Sequence, residues 1–370
     1  MRKHNPNNER VKREYLTYLE QAKRMSTSTV DQIAASIALF EASTGYKDFR
    51  TFHRNQAIAF KDRLQTTLSK ETGRPLAKST IHSRLMAMKD FVIWLQGRSG
   101  FKSRINYGDG EYFNPTANDE RIAKAHRQRP VPSLEQLRTA FDAMPGATII
   151  ERRDRALFGF AVISGARDNA LASFALKHVN LELRSVSQDA RDVRTKNAKT
   201  FVTNFFPVDA RYTEVLAEWI AELRQAGYGP DDPLFPATLV ESGSEHRFSA
   251  TGLKPEFWKS AGAVRRIFKE AFLRAGLPYF NPHSFRNTLA IRGEKICRSA
   301  EEWWAYSQNF GHSSPMTTFT SYGKVAPHRQ AEILNGLAAL SAGQTAAPVK
   351  LDEDQVRQLL DQLTRAASAL

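Results

Sequence analysis

Arg167, Lys196, His283, Arg286, His312 and Tyr322 are, by type, the groups that break a phosphodiester. Cleaving a DNA backbone without a metal or nucleotide cofactor needs a nucleophile in line with phosphorus. It needs positive donors on the non-bridging oxygens as charge builds there, and an acid for the departing 5′ oxygen. Guanidinium groups suit the grip, because their paired N–H donors match phosphate oxygens. A hydroxyl nucleophile conserves the bond as a covalent ester, so the strand can be resealed without an outside energy source.

The local sequence gives each group a place. Arg167 ends Ser164-Gly165-Ala166-Arg167, a Gly-marked turn after the apolar run Ala156 to Ile163. Val193 to Thr195 and Phe201 to Phe206 read as the arms of a hairpin around the polar turn Lys196-Asn197-Ala198-Lys199. His283 and Arg286 are three apart in Pro282-His283-Ser284-Phe285-Arg286. A helix starting near Pro282 puts them on one face and turns Phe285 and Leu289 into the core. His312 follows Gly311. Tyr322 ends a short segment with Ser314 as N-cap, Pro315 in the first turn and Gly323 as the stop. Singly, each residue has a plain structural reading: a surface pair, a turn lysine, a packing tyrosine. Their joint order carries the inference.

The order Arg, Lys, His-x-x-Arg, His, Tyr resembles the signature of the tyrosine recombinases, the family of phage integrases and mobile-element recombinases. The resemblance is sharpest at 281–289 and at 309–325 (Asn-Phe-Gly-His-Ser-Ser-Pro-Met-Thr-Thr-Phe-Thr-Ser-Tyr-Gly-Lys-Val) and looser over 130–340. It implies that Arg167 and Arg286 clamp the scissile phosphate. Lys196, or Lys199 in the same turn, would protonate the leaving 5′ oxygen. His283 would assist proton transfer at the nucleophile, His312 would hydrogen-bond the phosphate, and Tyr322 would form a 3′-phosphotyrosine link. The implied fold is mainly α with a small β-hairpin or sheet. A helical core-binding (SAM-like) domain and a catalytic domain would form a C-shaped clamp on duplex DNA, with no cofactor, as a tetramer on two sites. Two departures stand out. Ala170 occupies the position, three after the first arginine, where the family usually has an acidic residue, with Asp168 the nearest carboxylate. The step from His312 to Tyr322 is one residue longer than is usual.

The elements that must position these groups fall in two blocks. Residues 1–10 read as a basic tail and 11–105 as a helical DNA-binding domain. There Ile33, Ile37 and Phe40 recur at helical spacing behind caps at Ser28 or Thr29. A second helix from Ser79 or Thr80 buries Ile81, Leu85, Met88, Val92 and Leu95. Its other side, with Lys78 at its start and then His82, Arg84 and Lys89, would face phosphates, as would Lys199. Gly and Pro punctuate 106–130, read as a linker. Residues 131–340 form the catalytic domain, opening at Ser133 with a capping-box spacing to Gln136. Residues 341–370 read as a tether and an amphipathic helix from Asp352, suited to docking on its own domain or a neighbouring protomer.

Bulk properties agree. The 370 residues carry a net charge of +14 and are 41% hydrophobic and 25% charged, as in soluble globular proteins. Residues 1–130 hold 24 Lys and Arg against 13 Asp and Glu, hence +11 of that charge, which points to a nucleic-acid partner. One cysteine, Cys297, excludes an internal disulfide and a paired-cysteine zinc site. With no apolar run long enough for a membrane span and no secretory signal, a cytoplasmic protein is expected, nucleoid-associated if bacterial. The competing readings are a type IB topoisomerase, a catalytically silent DNA-binding accessory protein on the same fold, and an unrelated helical transcription factor.

Overall fold

Side-chain caps start most of the helices in the computed structural model, which describes residues 4–69, 72–125, 130–242 and 248–312, with 330, 334 and 335. Contacts divide the chain into two units, 1–128 and 129–370.

In the first unit, α1 (Pro6–Thr17) begins behind Asn5, whose side chain accepts from Asn7 N and Asn8 N. Residues 5–10 of the stretch read as a basic tail are therefore part of the fold. Asn8 is buried, donates to Glu41 and to Lys47 O, and accepts from Phe49 N. A buried amide satisfied on every side is not a tail. Helix α2 (Thr27–Ser43) is capped by Ser26, upstream of the caps expected at Ser28 or Thr29. Helices α3 (Arg54–Thr66) and α4 (Lys78–Gln96) follow. Their apolar stripes meet in one core of Tyr15, Ile37, Phe40, Phe60, Leu85, Met88 and Phe91.

Phe101, Ile105 and Phe113 also enter this core. Much of the stretch read as a linker is accordingly structured: a 3-10 turn at Asp109–Phe113 and α5 (Ala117–Lys124) pack on α4. Gly and Pro mark its bends, but burying an aromatic side chain such as Phe113 stabilises by about 2 kcal/mol and holds the segment down.

The second unit is built around α7 (Ile149–Ser164), which is buried at every position from Ala156 to Ser164. A helix apolar all round must be surrounded, and here α6 (Leu134–Asp142), α9 (Arg211–Gln225) and α11 (Pro282–Ile296) pack on it. The Ser133–Gln136 capping box forms in both directions. Phe158, Phe268, Phe272 and Phe285, with α10 (Gly262–Arg274), fill the centre. Two short elements complete the frame, α8 (Asp168–Leu171) and α12 (Ala300–Gln308).

The β signal is larger than one hairpin. Strands β1 (Val179–Asn180), β2 (Ser185–Gln188) and β3 (Phe201–Asn204) form an antiparallel sheet in that order, with Ser185 opposite Asn204 and Gln188 opposite Phe201. The first arm of the lysine hairpin is thus Ser185–Gln188 rather than Val193–Thr195. Val193 is buried, held by its N–H on Asp189 O, so it anchors a loop instead of pairing. A second ribbon, β4 (Ala237–Ser242) with β5 (Phe248–Lys254), has no counterpart in the sequence reading. It rests on buried Arg153, which donates to Pro236 O and Thr238 Oγ1.

Candidate active site

Chain geometry delivers Arg167 and Arg286 to one place by different means. Helix α7 stops at Gly165, whose φ of 56° is the left-handed C-cap glycine favours. A Cβ there would lie 3.1 Å from Leu289 Cδ1 and 3.2 Å from Phe206 Cε2. The turn releases Arg167 as N-cap of α8, half-buried; its carbonyl accepts from Leu171 N, and its side chain makes no hydrogen bond to any described residue. Helix α11 starts at Pro282 behind Asn281, whose side chain accepts from Ser284 N. Phe285 and Leu289 face the core, and Arg286 is buried with them at 1% exposure.

Arg286 is held on three sides. Its Nη1 donates to Gly165 O at 2.5 Å and its Nη2 to Phe310 O at 2.8 Å. The guanidinium carbon lies 4.9 Å from the centre of the Phe310 ring, a cation–π distance. Its Nη2 also lies 3.4 Å from His312 Nε2. An arginine can only donate, so this contact suits a neutral His312 with its proton on Nδ1.

The imidazoles are pushed toward neutrality. Burial, then the charges of Arg286, Arg167 and Lys199, lower the His312 pKa to about 4. Burial, then Arg286 and Arg167, lower that of His283, with Lys196 adding to the effect and Asp168 opposing it. The same two guanidinium charges thus act on both histidines, and each histidine feels a different lysine of the loop. Such a concentration of positive charge, opposed at His283 by Asp168, favours an anion.

Lys196 sits in a 3-10 turn at Lys196–Ala198, within the loop between β2 and β3, where Lys196 and Lys199 are both exposed. Asn197 and Ala198 have φ of 59° and 49°. Asp168 does not reach back to Arg167: its carboxylate pairs with Arg265 of α10 at 2.6 Å. Ala170 is buried in the core. Tyr322 and the amphipathic segment from Asp352 lie outside the described residues.

On α4, two residues of the expected phosphate-facing side also make ion pairs within the first unit. Lys78 pairs with Asp119 at 2.8 Å and Lys89 with Glu111 at 2.8 Å. Acidic residues of the supposed linker cover that side, and Arg84 stays half-exposed. Sequence reasoning missed Arg265, Arg194 and Asn309. No spacing signals them, because each acts through backbone carbonyls or partners remote in sequence.

Among the described residues, no group of three or more His, Cys, Asp or Glu could hold a metal ion. None of their helices is long and apolar enough to cross a membrane. No protein-family profile matches the chain. Curated relatives include the tyrosine recombinase XerC of Xylella fastidiosa strain M23, 25% identical over 311 residues, which cover 84% of this chain and 90% of the relative. The protein of that name from strain 9a5c is 26% identical, covering 69% of this chain and 73% of its own. Among solved structures, a lambda integrase dimer bound to a core site superposes with a TM-score of 0.58 at 12% identity, covering 92% of this chain and 99% of that one. The Tn1549 transposon integrase with transposon-end DNA gives 0.55 at 14% identity, covering 89% and 99%. The chain thus has the fold of these integrases and is similar in sequence to tyrosine recombinases.

Proposed function

We propose that the chain is a site-specific recombinase that cuts and rejoins double-stranded DNA through Tyr322, serving integration, excision or transposition of a mobile element. The convergence of Arg167 and Arg286 on His283 and His312 carries the reading, since burial and then the same two positive charges lower both histidine pKa values. That is a preformed cradle for one phosphate.

In this reading the arginines bind the non-bridging oxygens of the scissile phosphate and His312 hydrogen-bonds it. The tyrosyl oxygen bonds to phosphorus as the bond to the 5′ oxygen breaks. Neutral His283 takes the tyrosine proton, and Lys196 supplies one to the leaving oxygen. Rejoining reverses these steps. A solved neighbour described as a lambda integrase tetramer bound to a Holliday junction supports a tetrameric assembly on two DNA sites.

The test works whatever the target sequence is. Wild type and Tyr322→Phe are expressed in the native host, cells are lysed in strong detergent, and DNA covalently attached to the protein is sequenced. A tyrosine-dependent adduct at a defined sequence is expected. Wild type that binds DNA yet yields no adduct would overturn the catalytic reading in favour of a silent DNA-binding protein.

A further inference from the structure

We propose that Arg194 is a positioning residue for Lys196, tying the lysine loop to the turn that carries Arg167. The inference deepens the proposed function and rests on its assignment of Lys196 as the acid.

The loop between β2 and β3 spans residues 189–200 and has a base and a tip. The tip, 196–199, is exposed and makes no strand pairing. The base is fixed around Arg194. Its backbone N donates to Ser173 Oγ at 2.9 Å. Its Nη2 donates to Ala172 O at 2.7 Å and Trp258 O at 2.6 Å, and its Nη1 to Lys259 O at 2.8 Å. Ala172 is the C-cap of α8, whose N-cap is Arg167. A single four-residue helix therefore separates the phosphate-facing arginine from the carbonyl that Arg194 holds.

Reach makes the tie matter. Two residues extend at most about 7 Å, so fixing Arg194 confines the Lys196 backbone to a small volume beside α8. Val193 is buried and Ala190 N donates to Thr200 Oγ1, so without the Arg194 tie the stretch carrying Lys196 would be held only at its ends, and an acid must lie within hydrogen-bond reach of the atom it protonates. A guanidinium suits the task, since its planar fork spans separate carbonyls that an ammonium cannot bridge together. Among the described residues no carboxylate pairs with Arg194, and burial lowers its pKa. The residue stays exposed, and what ties it down is the three carbonyls to which its guanidinium donates.

The chemistry supplies a selective test. When the P–O5′ bond breaks, the bonding pair leaves with O5′, which takes a proton from the Lys196 ammonium and becomes the 5′-hydroxyl. If sulfur replaces that bridging oxygen, the pair leaves on a thiolate, a much weaker base that departs without a proton. A defect confined to the acid then vanishes.

The site recovered from covalent adducts is made as a duplex with oxygen or sulfur at the bridging position. Single-turnover cleavage by the full chain is compared for wild type, Lys196→Ala, Lys199→Ala, Arg194→Gln and Arg194→Lys. On oxygen, Arg194→Gln is expected to slow cleavage about 100-fold, as misplacement by an ångström can, with Arg194→Lys between it and wild type. On sulfur, both Arg194 variants and Lys196→Ala should return to within about 3-fold of wild type on the same DNA.

If Arg194→Gln and Arg194→Lys are slow on both substrates, the residue serves general folding or phosphate binding, and the proposal falls. Wild-type rates for both on oxygen would overturn it equally. If sulfur fails to restore Lys196→Ala, or restores Lys199→Ala instead, the assignment of the acid is wrong, and the proposal fails with it. Rescue of Lys196→Ala without rescue of the Arg194 variants would leave the acid standing and refute only the positioning role.

Discussion

The side-chain amide of Asn309 pairs with the backbone of Asn204 in both directions: Nδ2 donates to Asn204 O at 2.8 Å, and Asn204 N donates to Oδ1 at 2.7 Å. The amide behaves as one more strand residue on the free edge of β3. Thr203 adds a third tie, its hydroxyl donating to Asn309 O while accepting from Gln188 Nε2. The segment running into Gly311 and His312 is thereby sewn to the strand that leaves the lysine loop.

Replacing Asn309 with Asp keeps the acceptor and removes the donor, placing a carboxylate oxygen against Asn204 O. A loss of about 1 kcal/mol, measured by urea unfolding, is expected, with Asn309→Ala costing slightly more. Cleavage should fall more than stability in both variants, because His312 is displaced. Equal unfolding midpoints and equal rates would refute the tie.

Arg286 and Arg167 should separate folding from activity. Arg286→Ala strands Gly165 O and Phe310 O and removes a buried cation–π contact, so about 2–3 kcal/mol of stability should be lost with cleavage. Arg167→Ala should abolish cleavage while unfolding within about 0.5 kcal/mol of wild type, as substitutions away from structural contacts do. Thermal melts beside adduct formation decide the matter, and an Arg167 variant that melts early would contradict it.

Acidification should destabilise the protein through its histidines. Below the ordinary imidazole value of 6.5, the unfolded chain takes up protons that His312 in the folded chain refuses until about pH 4, and His283 shifts in the same direction. The unfolded state binds more protons in that window, so stability falls as pH drops from 6.5 toward 4. Above 6.5 these groups contribute no slope. Urea unfolding across this range should show a shallower pH dependence for His312→Gln than for wild type. Parallel curves would show that His312 titrates normally.

Gly311→Ala should act through Phe201. Gly311 has φ of 72°, and a Cβ there would lie 2.6 Å from the Phe201 ring. Strain at such a position costs of the order of 1 kcal/mol or more before the clash is added. Cleavage should fall with little change in DNA affinity. Adding Phe201→Leu should restore part of the rate, relieving the clash but not the φ. A double variant no better than the single one would assign the whole effect to the backbone.

The parts legible in the sequence are those whose causes are local. The start of α11 near Pro282, Ser133-Gln136 capping α6 and Phe285 with Leu289 turned inward all follow from spacing within a helical turn or two. Errors arose where partners are distant. Asn8 finds Glu41 and Phe49, Phe113 finds the α4 core, and Val193 is pulled inward; none of these contacts leaves a periodic trace. The β4–β5 ribbon escaped notice because it has little apolar alternation, and Val240 on it is exposed. At the site, residue types were readable, but the burial of Arg286 and the pairing of Asp168 with Arg265 were not.

The depth at which Arg286 is embedded bears on how this architecture would decay. A descendant that gave up strand cleavage could shed Arg167 without penalty to folding, whereas loss of Arg286 would also unsettle the junction of α7, α11 and the Phe310 segment. Drift should therefore erase the first arginine early and the second late. In a degenerate copy, a surviving His-x-x-Arg would testify to ancestry and a sound core, and a working enzyme would need the arginine after the glycine turn and the tyrosine as well.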